Sequence, residues 1–119
     1  GEKYTIFGHN GKQVRDNIHS TDLVNAFSEY HKNPKKGAVY NMGGGLESNC
    51  SMLEAIMIGE EVSGKKLNYN YIKDARVGDH IWYISDLSKF KNDYPQWKIS
   101  YNIERIIKEI YNDNLSRFK

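Results

Sequence analysis

Two arginines with nearby carboxylates are the residues of this sequence whose chemistry is most specific. Arg15 directly precedes Asp16, and Arg76 begins a short segment that ends at Asp79. A guanidinium group is planar, stays charged at physiological pH and binds phosphate through two parallel hydrogen bonds. Two converging arginines would therefore form a clamp for a diphosphate. The alternative is that both are surface residues paired with Asp16 and Asp79, since most charged side chains are simply solvated.

Three segments around these residues resemble one enzyme family. They are residues 14–23 (VRDNIHSTDL), residues 39–45 (VYNMGGG) and residues 76–79 (RVGD). Together they are similar to the C-terminal part of the extended short-chain dehydrogenases/reductases, which include the NAD-dependent nucleotide-sugar epimerases and dehydratases. Residues 48–56 and 78–87 most resemble the members that epimerise CDP-sugars at C2. The resemblance covers nearly all of the chain.

The resemblance implies an α/β fold. It is the C-terminal fragment of an extended short-chain dehydrogenase fold, with the substrate lobe plus a returning strand and helix of the Rossmann domain, and without the N-terminal dinucleotide-binding part. Residues 1–119 would form a single substrate-binding portion. Within it, residues 1–45 would pack on the Rossmann domain and residues 46–119 would form the substrate lobe.

The resemblance also implies a reaction and a site. In the complete enzyme, bound NAD would oxidise the sugar at C2 and return the hydride to the opposite face, with a CDP-sugar as the favoured substrate. In the family, the arginines that match Arg15 and Arg76 contact the nucleotide diphosphate, and the position that matches Asp79 lies in the same pocket. Asn17 and His80 are further candidates for the substrate pocket.

The family's cofactor motif is not found in this sequence. The glycine cluster Gly43 to Gly45 lacks the G-x-G-x-x-G spacing that a tight pyrophosphate-binding turn requires, so we interpret it as a turn that leaves a strand. We therefore expect NAD to be bound by the longer protein and no cofactor by this chain alone.

Two tyrosine–lysine pairs have the spacing of the family's catalytic Tyr-x-x-x-Lys, which requires a helix. Tyr69 and Lys73 begin in an alternating segment that predicts a strand, where four residues span roughly 13 Å. Tyr94 and Lys98 enclose Pro95, which favours a turn. We therefore assign no catalytic residue and expect the chain alone to be inactive.

Composition limits the remaining classes. A chain of 119 residues, 39% hydrophobic and 13% aromatic, predicts one domain with a modest core. The net charge is +2 and the basic residues are scattered, which argues against a nucleic-acid partner. Cys50 is the single cysteine and no zinc-ligand spacing occurs, so no metal is predicted. With no signal peptide and no membrane-spanning run, we expect a cytoplasmic protein without a membrane partner.

Local patterns predict alternating strands and helices. The predicted strands cover residues 3–7, 12–14, 38–42 and 66–72. Helices are expected behind Ser20 or Thr21, behind Ser51 with Glu54, behind Ser85 and behind Asn102. In the first helix, Leu23, Phe27 and Tyr30 are expected to form the buried face. Trp97 is expected to fill the core after a proline turn.

Three histidines are interpreted as residues without a catalytic role. His19 and Asp22 lie close together, but no nucleophile accompanies them, so we interpret both as residues of a strand-to-helix connection. His9 and His31 are predicted to be exposed.

The last helix is strongly amphipathic, with apolar residues at Ile103, Ile106, Ile107, Ile110 and Tyr111. We predict that this stripe packs in the core, and the alternative is that it forms a partner-binding face. The chain could then be a protein-interaction domain, a non-catalytic nucleotide-sugar binding module or, on weaker grounds, a nucleic-acid binder. Elements that would normally pack on further strands leave two alternatives open, a homo-oligomer or one piece of a larger protein.

Overall fold

The computed structural model describes residues 3–118. Its strands are β1 (Tyr4–Phe7), β2 (Val14–Asp16), β3 (Asn49–Ser51), β4 (Tyr69–Ile72) and β5 (Trp82–Tyr83). Its α-helices are α1 (Ser20–Lys32), α2 (Met52–Ser63), α3 (Ser88–Asp93) and α4 (Ile103–Asn114). Short 3-10 helices occupy His9–Gly11, Gly45–Glu47 and Leu115–Phe118. The predicted mixed α/β class is confirmed.

The strands form two small sheets. In one, β1 and β4 run parallel and Phe7 lies opposite Ile72. In the other, β2 lies between β3 and β5, antiparallel to β3 and parallel to β5. Arg15 is therefore on a central strand, opposite Cys50 on one side and Tyr83 on the other.

The predicted caps of α2 and the predicted N-cap of α4 are confirmed. The Ser51 hydroxyl accepts a hydrogen bond from the Glu54 N–H, and the Glu54 carboxylate accepts one from the Ser51 N–H, which completes the capping box of α2. Gly64 ends α2 with a left-handed φ of 67°. Asn102 caps α4 by accepting a hydrogen bond from the Arg105 N–H.

Two predicted caps are wrong. His19 takes the place expected for Ser20 or Thr21, because its Nδ1 accepts a hydrogen bond from the Thr21 N–H at the start of α1. α3 begins at Ser88 rather than behind Ser85, and the Asp86 carboxylate accepts a hydrogen bond from the Ser88 N–H.

The core is built around α3 and the segment that follows it. Its buried members are Ala26, Leu87, Phe90, Tyr94 and Trp97. Trp97 is 5% exposed and its indole N–H donates to the Asp22 carbonyl at 2.9 Å, so its predicted core position is confirmed. The expected face of α1 is wrong in part: Asp22 and Ala26 are its buried residues, while Phe27 is 62% exposed.

Residues 38–42 were expected to form a strand, and they do not. Their burial still alternates as in a strand: Tyr40 and Met42 pack against the core, and Val39 between them is exposed. A strand needs a hydrogen-bonded neighbour, and no strand within residues 3–118 pairs with this segment. The side-chain pattern is therefore present without the backbone ladder.

Helix α4, which carries the isoleucine stripe, packs on α2. Most of the stripe is half-buried, which supports core packing, although Ile110 remains 59% exposed. Over residues 3–118, none of the helices combines the length and the apolar character that a bilayer span would need.

Candidate functional site

Arg15 and Asp79 meet although they are 64 positions apart. Arg15 is held by central strand β2, and Asp79 comes from the loop of residues 73–81 between β4 and β5. The Arg15 Nη2 donates to Asp79 Oδ1 at 2.5 Å, and its Nη1 donates to the Val14 carbonyl at 2.7 Å. The ion pair thus joins the two motifs to each other, rather than each arginine to its neighbour in sequence.

Arg76 reaches the same place from the same loop. Its guanidinium carbon lies 5.0 Å from the centroid of the Phe7 ring, a cation–π contact. Arg15, Arg76 and Asp79 all line one depression of about 160 Å³ beside β1. The structure therefore brings together the three residues that the family resemblance assigns to the diphosphate pocket.

Two glycines shape this part of the structure: Gly8 allows the loop to approach β1, and Gly78 allows a turn within the loop. Gly8 has a φ of 65°, and a Cβ at this position would lie 2.5 Å from the Ala75 Cβ. Only glycine allows both the left-handed conformation and this close approach. At the other end of the loop, Gly78 has a φ of 78° inside a turn closed by a hydrogen bond from the Asp79 N–H to the Arg76 carbonyl at 3.0 Å.

His9 is a site residue that the sequence did not indicate. It was expected to be exposed, but its side chain is only 21% exposed and its Nε2 lies 3.9 Å from Asp79 Oδ2. Nε2 is buried and has no hydrogen-bond partner among the described residues. The backbone of His9 is left-handed, with a φ of 51°, a conformation that is uncommon for residues other than glycine and that no sequence pattern here signals.

Gln13 is a second residue that was missed. Its Nε2 donates to the Phe7 carbonyl at 3.1 Å, and it lines the depression with Arg15. Its Oε1 is buried and has no partner in the described part of the chain. The depression thus combines two guanidinium groups and one carboxylate with the Gln13 Oε1, a buried acceptor whose hydrogen-bonding capacity is unused.

Asn17 and His80 do not line this depression. The Asn17 side chain is exposed, and its Nδ2 makes a long hydrogen bond of 3.4 Å to the Arg15 carbonyl. His80 is exposed too, with its ring 6.1 Å from that of Tyr83.

The glycine cluster Gly43 to Gly45 allows its loop to pack closely against β2 and the residues that follow it. The Asp16 Oδ2 accepts hydrogen bonds from the Gly45 N–H at 2.9 Å and the Ser85 N–H at 3.0 Å. A Cβ at Gly43 would collide with the Asp16 carboxylate, and one at Gly44 would collide with the Ser48 carbonyl. Protein atoms already fill the space beside these glycines, so they do not fit a cradle for the pyrophosphate of NAD.

Neither tyrosine–lysine pair lies on a helix, as predicted. Tyr69 begins β4, and Tyr94 follows the last residue of α3, just before Pro95. The Tyr94 hydroxyl is committed to the core, where it donates to the Asn33 carbonyl at 2.9 Å.

No family model matches the chain. A CDP-paratose 2-epimerase from Salmonella typhi is 30% identical over 91 residues, which are 75% of this chain and 26% of that protein. A UDP-glucose 4-epimerase from Bacillus subtilis is 31% identical over 113 residues, which are 88% of this chain and 32% of that protein. The chain therefore spans a third or less of the length of these curated relatives.

Solved structures of nucleotide-sugar epimerases are similar to this chain as well. The UDP-glucuronic acid 4-epimerase from Bacillus cereus, in complex with UDP-glucuronic acid and NAD, has a TM-score of 0.80 and 26% sequence identity. The match covers 99% of this chain and 36% of that one. The fold is that of the C-terminal part of an extended short-chain dehydrogenase/reductase.

Proposed function

We propose that this chain forms the substrate-binding portion of an NAD-dependent nucleotide-sugar epimerase, on the premise that its sequence and structure matches point to the NAD-dependent epimerase/dehydratase family. Within that family we propose the CDP-paratose 2-epimerase type, with a CDP-sugar as substrate. The observation that carries the proposal is the convergence of Arg15 and Arg76 on one depression.

The charge of the depression suits a diphosphate. Two guanidinium groups and one carboxylate leave it with a net positive charge, and each guanidinium can donate to phosphate oxygens as a fork. Asp79 holds the Arg15 side chain by its Nη2, so the arginine is already ordered before a ligand arrives. An ordered donor loses less side-chain entropy on binding than a free one.

We also propose that residues 1–45 pack on the cofactor-binding part of the longer protein. Val24 and Phe27 on α1 are 61% and 62% exposed, and Val39 is 77% exposed. Exposed apolar residues of this kind are typical of a surface that another element covers. The alternating burial of residues 38–42 would then reflect a strand that completes its ladder in the sheet of that part.

Titration separates this proposal from the other classes. We expect CDP to perturb the NMR signals of residues around the depression, UDP to do so less strongly, and a short oligonucleotide to have no such effect. Perturbation by the oligonucleotide alone would favour nucleic-acid binding. Absence of any nucleotide effect, both in this chain and in the chain joined to its cofactor-binding part, would favour an interaction module.

Substitution tests the shared clamp. Arg76→Ala should weaken CDP binding by on the order of 1.5 to 3 kcal/mol, the worth of a charge-assisted bidentate contact. Lys73→Ala, in the same exposed loop, is the matched control and should have little effect. If Arg15 and Arg76 bind one diphosphate, their alanine substitutions should be non-additive in a double-mutant cycle. Additive losses would remove one of them from the clamp.

A further inference from the structure

We infer that Phe7 is a positioning residue for Arg76, so that the β1 strand sets the direction of one arm of the diphosphate clamp. This inference rests on the proposed function for its biological meaning, but its geometry stands alone. The Phe7 ring lies 5.0 Å from the guanidinium carbon of Arg76 and lines the same depression.

Arg76 needs such a support because nothing else described in the chain holds its side chain. No salt bridge joins Arg76 to a carboxylate within residues 3–118, and no side-chain hydrogen bond of its guanidinium is found there. The residue is exposed, as is the adjacent Val77. An exposed arginine without contacts samples many rotamers, and ordering them on binding costs free energy.

The Phe7 ring is itself well placed for this role. Phe7 is half-buried at the end of β1, where its backbone is fixed by the parallel pairing with Ile72. Its carbonyl accepts a hydrogen bond from the Gln13 side chain. Directly after it, Gly8 lets the loop come close enough for the guanidinium to reach the ring.

The two arginines of the clamp are therefore oriented by different kinds of interaction. Arg15 is oriented by a carboxylate, which also neutralises part of its charge. Arg76 is oriented by the face of an aromatic ring, which leaves its hydrogen-bond donors free. A site built in this way keeps one fully available guanidinium for the incoming phosphate.

The first experiment measures the geometry in the 119-residue chain without any ligand. A proton above a ring face is shielded, so the side-chain NMR signals of Arg76 should be shifted upfield. Phe7→Leu should abolish this shift, and Phe7→Tyr should retain it. Tyr69→Leu, an exposed aromatic residue of the same sheet, is the control and should leave it unchanged. Random-coil Arg76 signals in the unsubstituted chain would overturn the inference.

The second experiment measures the consequence, with inorganic pyrophosphate as the probe. Phe7→Leu should weaken pyrophosphate binding about two- to fivefold, the effect of losing one exposed cation–π contact. Phe7→Tyr should restore it. In the Arg76→Ala background, Phe7→Leu should have no further effect. A loss that persists in that background, or an equal loss for cytidine without phosphates, would show that Phe7 does not act through Arg76.

The two experiments also separate this inference from the proposed function. A ring-dependent shift of Arg76 without pyrophosphate binding would support the positioning and count against the diphosphate site. Pyrophosphate binding that requires Arg76 but is unaffected by Phe7→Leu would support the site and overturn the positioning role.

Discussion

Replacing Asp22 should destabilise the fold more than replacing any charged residue of the candidate site. The Asp22 side chain is 0% exposed. Its Oδ2 accepts hydrogen bonds from the Ser100 N–H and the Tyr101 N–H, both at 3.0 Å. Its own carbonyl accepts the Trp97 indole N–H. One residue of α1 thereby fixes the segment that leads from the core into α4.

The magnitude follows from the two amides. Asp22→Ala leaves both part-buried N–H groups without their acceptor, and each such loss costs about 1 to 3 kcal/mol. The total is therefore on the order of 2 to 6 kcal/mol, a large fraction of the about 5 to 15 kcal/mol of a typical domain. Because one oxygen accepts both bonds, Asp22→Asn can keep them as neutral bonds, which are about half as strong. Its cost should be on the order of 1 to 3 kcal/mol.

Urea denaturation followed by tryptophan fluorescence is the assay. With a slope of about 2 kcal/mol per molar urea, Asp22→Ala should lower the midpoint by about 1 to 3 M. Asp74→Ala, at an exposed loop position, is the control and should stay within about 0.5 kcal/mol. The reasoning fails if both Asp22 variants match the unsubstituted chain, or if Asn is as damaging as Ala.

Three shorter predictions concern the N-terminal cap of α2, the stability of the fold at low pH and the binding of NAD. Ser51→Ala should cost about 1 kcal/mol in urea denaturation by breaking the capping box, whereas Ser116→Ala should not. Hydrogen bonding to the Ser51 N–H lowers the pKa of Glu54, and hydrogen bonding to Lys35 lowers that of Asp93. Carboxylates with a lowered pKa in the folded state stabilise the fold at neutral pH. The free energy of unfolding, measured by denaturation followed by circular dichroism, should therefore fall as the pH drops below about 4. Calorimetry should detect no NAD binding to this chain, and micromolar affinity would refute our account of the glycine cluster.

Features that depend on a few neighbouring residues could be predicted from the sequence. The capping box of α2, its glycine stop at Gly64 and the Asn102 cap all follow from side chains that bond to backbone within one turn. His19 was missed as a cap because the rule covers short polar residues, and an imidazole rarely fills that place.

Features that depend on distant partners could not be predicted. The strand expected at residues 38–42 has the right alternation, but pairing needs a neighbour that sequence pattern does not supply. The sequence drew attention to Asp22 because it lies close to His19 along the chain. Its hydrogen-bond partners are instead the backbone amides of Ser100 and Tyr101. His19 in turn contacts Glu109 at 3.0 Å and stacks on the Tyr101 ring.

The candidate site shows the same division. Guanidinium chemistry identified Arg15 and Arg76 as candidates, and the resemblance gave both a shared ligand. The sequence did not show that Asp79 would cross to Arg15 and leave Arg76 to the Phe7 ring. That exchange depends on the close approach at Gly8, which brings the loop against β1.

The loop of residues 73–81 is the part of the site whose order depends on the fewest contacts. Only Asp79 is half-buried, and the other residues of the loop are exposed. The Arg15 ion pair, the Phe7 ring and the close approach at Gly8 connect the loop to the rest of the chain. At the end of the loop, the Ile81 carbonyl also accepts a hydrogen bond from the Val14 N–H at 2.9 Å. Segments with few buried contacts open at low free-energy cost. A diphosphate that bridged Arg76 and Arg15 would add a further tie between the loop and β2. Ligand binding and loop order would then be coupled, and each would strengthen the other by the same free energy.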